Sequence, residues 1–351
     1  MSKRDIIVIG ASSGGFEALK RIVAKLPANF SPSIFIVWHM SAEVNGILPQ
    51  VLNKLGTINA SNAVDGEPIK PNHIYVAPPD HHMLIEDDHI KVTRGPKENL
   101  FRPAVDPLFR SAAFTFKNRV IGVILSGALD DGTSGLWKIK ANGGIAVVQD
   151  PDDAENPSMP ASALKAVKVD FCLPIDELTK QLITLSNQEI TKDDFMAIND
   201  DQTEAEIAIA AEENAFKVAP SVSGKLSLYS CPECHGVMSE IMEDSLIRYR
   251  CHTGHAYSAK TLLQSLSQKT EDSLYNVIRG MDETVFLLNH MGDHYSEANE
   301  PKLAAAYFLE ANKTFEQSNI LRGMVHEQQN LNLDNFHSDE ENNWNNQEIS
   351  R

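Results

Sequence analysis

No apolar run in this chain approaches the ~20 residues that a membrane span requires. Nor does Met1-Ser2-Lys3-Arg4-Asp5 open a secretory signal; it leads straight into the strand-like run Ile6-Ile7-Val8-Ile9. Both absences predict a cytoplasmic protein without membrane insertion. Cysteine is scarce too, with four in 351 residues, and a reducing compartment gives no reason to expect disulfides. Cys172 sits inside the apolar Phe171-Cys172-Leu173 and reads as a core residue without chemistry. Positive charge is also in short supply: 31 Lys and Arg face 48 Asp and Glu, a formal net charge of −17. That balance repels nucleic acid and anionic lipid, so neither is expected as a direct partner.

What is present is enough apolar material, 42% of residues, for a sizeable core, and a length that suggests two folded units plus connectors. Apolar runs near residues 6 to 9, 33 to 39, 58 to 61, 73 to 77, 120 to 126, 144 to 149 and 170 to 174 alternate with helical segments. The pattern predicts an α/β fold, a doubly wound and mostly parallel sheet over residues 1–187. Alternation at 82 to 94 around Glu86-Asp87-Asp88-His89 predicts a hairpin on the sheet edge. Residues 188–224 turn acidic and read as a mainly disordered linker with one transient helix. A small ribbon-like hairpin is expected at 225–257 and a helical hairpin at 258–328, stacked on the ribbon. The Asn-rich, acidic tail 329–351 reads as disordered.

The sharpest local feature is Gly10-Ala11-Ser12-Ser13-Gly14-Gly15, between an apolar strand and an amphipathic run from Phe16 to Leu26. Such a corner puts a serine hydroxyl beside the unpaired N–H groups of a first helical turn, which can hold an oxyanion. A turn that merely caps a helix is the commoner meaning of such a sequence. The same letters open the cofactor loop of short-chain dehydrogenases, but Phe16 stands where that loop wants another glycine. None of the seven tyrosines has the lysine four residues on that such a reductase needs. Two more strands end in polar groups, Trp38 in His39-Met40 and Leu125 in Ser126-Gly127-Ala128-Leu129-Asp130-Asp131-Gly132. In a parallel sheet all three ends face one crevice, and Ser, His and Asp together can activate a hydroxyl. Asp130 and Asp131 both qualify as the acid, and either can cap the helix predicted at about 133 to 141.

In order and at these spacings, Ile9 to Gly15, His39-Met40, Asp65-Gly66, Ile74 to Pro78, His82-Met83, Arg102 to Asp106, Gly122 to Gly127, Asp131-Gly132 and Met159-Pro160 resemble the catalytic domain of CheB-family protein-glutamate methylesterases. The resemblance covers about residues 5 to 185. It implies Ser12 as nucleophile, His39 as general base and Asp131 as orienting acid. Ser13 would line the oxyanion pocket, helped by backbone amides near Gly14 and Ala128. Ala128 departs from the family, whose members carry Met there, so any wall that side chain makes is lost. Arg102 has two readings, a substrate-facing guanidinium or a structural ion pair, and the resemblance favours the first, so it is expected in the substrate pocket.

The resemblance further implies demethylation of glutamate methyl esters, with deamidation of glutamine in the same pocket, on a chemoreceptor or related signalling protein. Methyltransferase and kinase components of that system are expected partners, and no cofactor is expected for catalysis. The alternative is a non-catalytic scaffold that binds through its C-terminal unit. Usual members carry an N-terminal phospho-receiver domain, and this sequence begins at the catalytic domain. Gating by that route is therefore not expected, and the C-terminal unit becomes the candidate for targeting or regulation.

That unit opens with Cys231-Pro232-Glu233-Cys234, followed by Cys251-His252-Thr253-Gly254-His255. Two Cys-rich knuckles joined by a hairpin predict a closed tetrahedral zinc site of Cys231, Cys234, Cys251 and His255, structural in kind because no position stays open. His252 lies too near its cysteine to chelate easily.

Overall fold

Strands β1 (Ile6–Ala11), β2 (Ser33–Trp38) and β7 (Val120–Ile124) are apolar along almost their whole length, the composition of strands covered on both faces. They form the centre of a seven-stranded sheet, in the order β3-β4-β2-β1-β7-β8-β9. The remaining strands are β3 (Asn59–Asn62), β4 (His73–Val76), β8 (Ile145–Gln149) and β9 (Phe171–Leu173). Every pairing in this sheet is parallel. The computed structural model describes residues 3–39, 47–190, 201–212, 224–244 and 246–328. Met40, the tail 329–351 and most of the predicted linker lie outside them.

Alternation along each strand divides the core in two. Ile7, Ile9 and Ala11 join α1 (Gly15–Lys25), α2 (Leu48–Leu55) and α6 (Ile175–Asn187) on one face. Ile6 and Val8 join α3 (Val105–Phe116), α4 (Thr133–Ala141) and α5 (Ser158–Ala166) on the other. The predicted hairpin exists as β5 (His82–Glu86) and β6 (His89–Thr93), but as a separate two-stranded sheet. It is fastened to α3, with Ile85 N donating to Ser111 Oγ at 3.0 Å.

The acidic segment departs from expectation. Asp201–Ala210 is a helix (α7), and a helix was expected in this segment, but it buries Thr203, Ala205, Glu206, Ile209 and Ala210 where a transient linker helix would bury none. A second antiparallel sheet follows: β10 (Lys225–Ser230), β11 (Val237–Glu243), β12 (Leu246–Cys251) and β13 (Ala256–Ser258). It belongs to the same compact unit as the first sheet, Met1–Leu262, and the second unit is Leu263–Arg351.

What fastens the ribbon is charge. Glu98 and Arg110 from the parallel-sheet half, Glu206 from α7 and Arg248, Arg250 and Glu243 from the ribbon form one buried cluster, each less than 7% exposed. Arg110 pairs with Glu98 at 2.6 Å, Arg248 with Glu206 at 3.0 Å and Glu243 at 3.1 Å, and Arg250 with Glu98 at 3.0 Å. Three guanidinium groups balance three carboxylates, which is what lets six charges stay out of water. Burial alone would raise Glu98, but Arg110, Arg250 and Arg248 hold it down at about 2. Against the same penalty Arg248, Arg250 and Arg110 keep Glu206 well below the usual carboxylate range. Both carboxylates thus contribute stability above about pH 4.5 that is lost as the pH falls toward 2. Removing one arginine would strand a buried carboxylate, at about 3–5 kcal/mol.

In the second unit, α8 (Ala259–Glu297) and α9 (Pro301–Gln328) are antiparallel. Tyr295 stacks on Tyr307 near the turn, ring centroids 5.3 Å apart, and Ser318 donates to Asp282 at 3.0 Å further along. Ile278 and Val325 are buried, whereas Tyr275, Leu303 and Phe315 are exposed. A pair of helices has one seam to close and cannot cover every apolar position.

Candidate functional site: a Ser-His-Asp cluster at the sheet's switch point

Strand order reverses between β1 and β7: the chain builds outward through β2 to β3 and β4, then returns to add β7, β8 and β9 on the other side. The carboxyl ends at such a reversal leave a crevice. Ala11 pairs with Trp38 in the β1/β2 ladder, so Ser12 and His39 occupy the first positions beyond the two paired ends. His39 N donates to Ala11 O and Ser12 N to Ser126 O, each at 3.0 Å, which ties all three strand ends together.

Helix α1 starts immediately after, with Gly14 at φ 74° as its N-cap. A side chain there would be strained, and its Cβ would lie 2.5 Å from Glu155 Cβ. Gly127 is tighter still, since a Cβ would come within 2.0 Å of Met159 Sδ and 2.8 Å of Ser12 Cβ. The Gly15 and Gly127 N–H groups are spent on Ser12 O and Asn156 O. Those of Gly14 and Ala128 make no hydrogen bond among the described residues. Ser13 is exposed, and its carbonyl accepts from Ser126 Oγ at 2.7 Å.

Asp131 is 2% exposed and accepts five hydrogen bonds. His39 Nε2 reaches Oδ2 at 2.8 Å and Val105 N the same oxygen at 2.6 Å. Asn99 Nδ2 and Gly132 N reach Oδ1 at 2.9 Å, and Asp106 N reaches it at 3.3 Å. Val105 and Asp106 are the first residues of α3, so the carboxylate sits on a helix N-terminus, where negative charge is favoured. It caps α3 rather than the helix that follows it: the N-cap of α4 is Gly132, without a side-chain cap bond. Burial would raise its proton affinity, but the hydrogen bond and charge of His39, with the Val105 and Asn99 donors, keep it below the ordinary value.

His39 is 8% exposed, and Phe101 lies flat against its ring, centroids 3.8 Å apart at 10°. With Nε2 committed to Asp131, the buried Nδ1 has no hydrogen-bond partner among the described residues. A nitrogen buried without a partner is costly unless something arrives to use it. An imidazole so held can accept a proton at Nδ1 from a hydroxyl at the end of β1 while Asp131 stabilises the resulting cation.

Asp106 lies beside this carboxylate, 2% exposed, accepting from Gly135 N at 2.7 Å and Asn99 Nδ2 at 2.8 Å. Burial, then the Asp131 charge, push it up to about 7. Two neighbouring buried carboxyls therefore share one proton near neutrality, and Asp106 carries it. Asp130, the other candidate acid, bonds to Ser258 Oγ at 2.8 Å and not to His39; burial pushes it to about 6. Arg102 grips Asp80 through Nε at 2.9 Å and Nη2 at 2.7 Å, and donates from Nη1 to Gly95 O at 2.8 Å. Of its two readings, these contacts are those of the structural ion pair. Asn99, Phe101 and Asp106 were not singled out as site residues by sequence. Asp106 closes the Arg102 to Asp106 motif, and the signal for Asn99 and Phe101 was proximity to it.

Away from the crevice, Cys231, Cys234, Cys251 and His255 bring one ligand atom each to within 4.8 Å of one another. Cys234 and Cys251 Sγ are 3.6 Å apart, and His255 Nδ1 lies 3.7 Å from Cys231 and 3.6 Å from Cys251. Tetrahedral bonds of about 2.3 Å to sulfur imply ligand separations of about 3.8 Å, so the donor set fits a metal such as zinc. Tyr257 OH, 3.9 Å from Cys231 Sγ, backs the cluster. His252 instead packs against Gly236.

The family model for CheB methylesterase matches residues 7–182. A Leptospira interrogans protein, provisionally named protein-glutamate methylesterase/protein-glutamine glutaminase, is 43% identical over 187 residues, 53% of this chain and 97% of that protein. A Rhizobium johnstonii protein named protein-glutamate methylesterase/protein-glutamine glutaminase 2 is 36% identical over 182 residues, 51% of this chain and 50% of its own length. The crystal structure of the Thermotoga maritima CheB methylesterase catalytic domain superposes with a TM-score of 0.50 at 34% identity, covering 53% of this chain and all of that one.

Because Asp106 holds a proton in the folded state up to about pH 7 that the unfolded chain releases near 3.8, it costs stability progressively as pH rises between those values. Carbon-13 NMR of aspartate-labelled protein is expected to show one carboxyl titrating near 7 that disappears in Asp106→Asn. A spectrum in which every carboxyl is ionised by pH 5.5 would contradict the shared proton.

Proposed function

The chain belongs to the CheB methylesterase family, and on that premise we propose that it hydrolyses methyl esters of glutamate side chains on a chemoreceptor or a related signalling protein. Ser12 Oγ attacks the ester carbonyl carbon and passes its proton to His39 Nδ1. The tetrahedral oxyanion is held by the Gly14 and Ala128 N–H groups beside Ser13. Collapse expels methanol, which takes the proton from His39. Water then repeats the sequence on the acyl-enzyme and releases free glutamate and Ser12. Asp131 stays ionised throughout, fixing Nε2 as the N–H and stabilising the imidazolium.

The observation that carries this reading is the 2.8 Å bond between His39 and Asp131 with Nδ1 left partnerless one strand from Ser12. The same arrangement weighs against a non-catalytic scaffold. The names of the relatives add deamidation of glutamine, which differs in its leaving group, ammonia, and uses the same residues. No helix among the described residues is long and apolar enough to cross a membrane, in keeping with a cytoplasmic enzyme that meets the methyltransferase and kinase of its signalling system. Catalysis by this route requires no cofactor. Arg102 acts by holding the 94–102 loop against Asp80.

In the ribbon, Cys231, Cys234, Cys251 and His255 would hold a zinc ion. With four protein ligands an ion held there would supply structure and offer no open site for substrate.

Methanol release from a radiomethylated receptor cytoplasmic domain tests the esterase directly. Wild-type protein is expected to release it, and Ser12→Ala to lose at least about 10³-fold in kcat; equal release by both would refute the assignment. Elemental analysis is expected to find close to one zinc per chain, falling sharply in Cys234→Ser. A wild-type stoichiometry far below one would remove the metal.

A further inference from the structure

Residues 98–101 form a tight turn, closed by Phe101 N donating to Glu98 O at 2.9 Å. Its side chains go to three places. Glu98 enters the buried Arg/Glu cluster, Asn99 reaches Asp131, and Phe101 covers the His39 ring. Asn99 and Leu100 both have positive φ, 49° and 76°. Leucine rarely adopts that conformation, so the surroundings must impose it.

Those surroundings come from the ribbon. Asn99 N donates to Ala256 O at 2.8 Å, and Asn99 Oδ1 accepts from Ser258 N at 2.8 Å and Thr261 Oγ1 at 3.2 Å. Its two amide protons go to Asp131 Oδ1 at 2.9 Å and Asp106 Oδ2 at 2.8 Å. All four hydrogen-bonding positions of the side chain are used, and the amide can point only one way. Reversed, its donor would meet the Ser258 N–H and its oxygen would face the Asp131 carboxylate. Asn99 is 4% exposed and Thr261 fully buried, so water does not substitute for either partner.

We propose that Asn99 is a positioning residue for the hydrolysis, set by the β13–α8 junction of the ribbon, and that it holds Asp131 in the orientation that bonds His39. One end of the amide reads where Ser258 and Thr261 are; the other separates Asp131 from Asp106 and donates to both. The ribbon is thereby a brace on the catalytic acid, acting through a residue that touches no substrate. This deepens the proposed esterase reading, on which the kinetic part of its test rests. The spectroscopic part does not.

The test uses the full-length protein with Asn99→Ala and, as a milder change on the ribbon side, Thr261→Val. The low-field proton NMR resonance of the His39 Nε2–H bound to Asp131 is followed along with kcat and KM for the methylated receptor domain. Asn99→Ala is expected to displace or abolish that resonance and lower kcat about ten- to a hundredfold, with KM within about twofold. Thr261→Val is expected to displace the resonance in the same direction by less. If Asn99→Ala fails to fold, Thr261→Val decides alone. An unchanged resonance in the folded variants, or a KM effect without loss of kcat, would overturn the proposal. Wild-type protein that cleaves no ester while both variants move the resonance would refute the esterase and uphold the positioning role.

Discussion

Three arginines and three glutamates buried together decide how this molecule is put together. Arg110 and Glu98 from the first half of the chain are buried together with Glu206, Arg248, Arg250 and Glu243 from α7 and the ribbon. Each group is tolerable only while the others are in place, since an isolated charge in that setting costs several kcal/mol. The cluster therefore makes the docking of the ribbon nearly all-or-none. Glu98 sits one residue from Asn99 and three from Phe101, so the same docking fixes the turn that touches Asp131 and His39.

The acid at the centre of the cleft shows how a carboxylate remains ionised with almost no water around it. Burial disfavours the charge on both Asp131 and Asp106, and what separates them is the number and kind of donors. Asp131 has the first amides of α3, the Gly132 amide, Asn99 and His39; Asp106 has one amide and Asn99. The better-served group keeps its charge and the other keeps the proton. One carboxylate thereby stays available to His39 near neutral pH, and a second negative charge is avoided within the same buried volume.

The central strands, the Ser12 corner, the His39 strand end and the Cys/His cluster were legible in the sequence because each is written locally: a fully apolar run, a glycine-rich turn, a metal-ligand spacing. The parallel sheet followed from the runs, and its switch point from their order. What was illegible depends on partners far away in the chain. Glu206 lies in an acidic stretch that reads as linker by composition, and only three distant arginines make it a core residue. Asn99 acquires its role from Ser258 and Thr261, more than 150 residues on. Arg102 was expected in the substrate pocket and instead pairs with Asp80, to which nothing adjacent in sequence points.

The central claim is that Ser12 is a nucleophile made reactive by His39. Incubation with a fluorophosphonate probe, followed by peptide mapping by mass spectrometry, addresses it without any assumption about the substrate. The account predicts a single adduct on Ser12 that is lost in folded His39→Gln. No adduct, an adduct on another serine, or undiminished labelling without the histidine would contradict it.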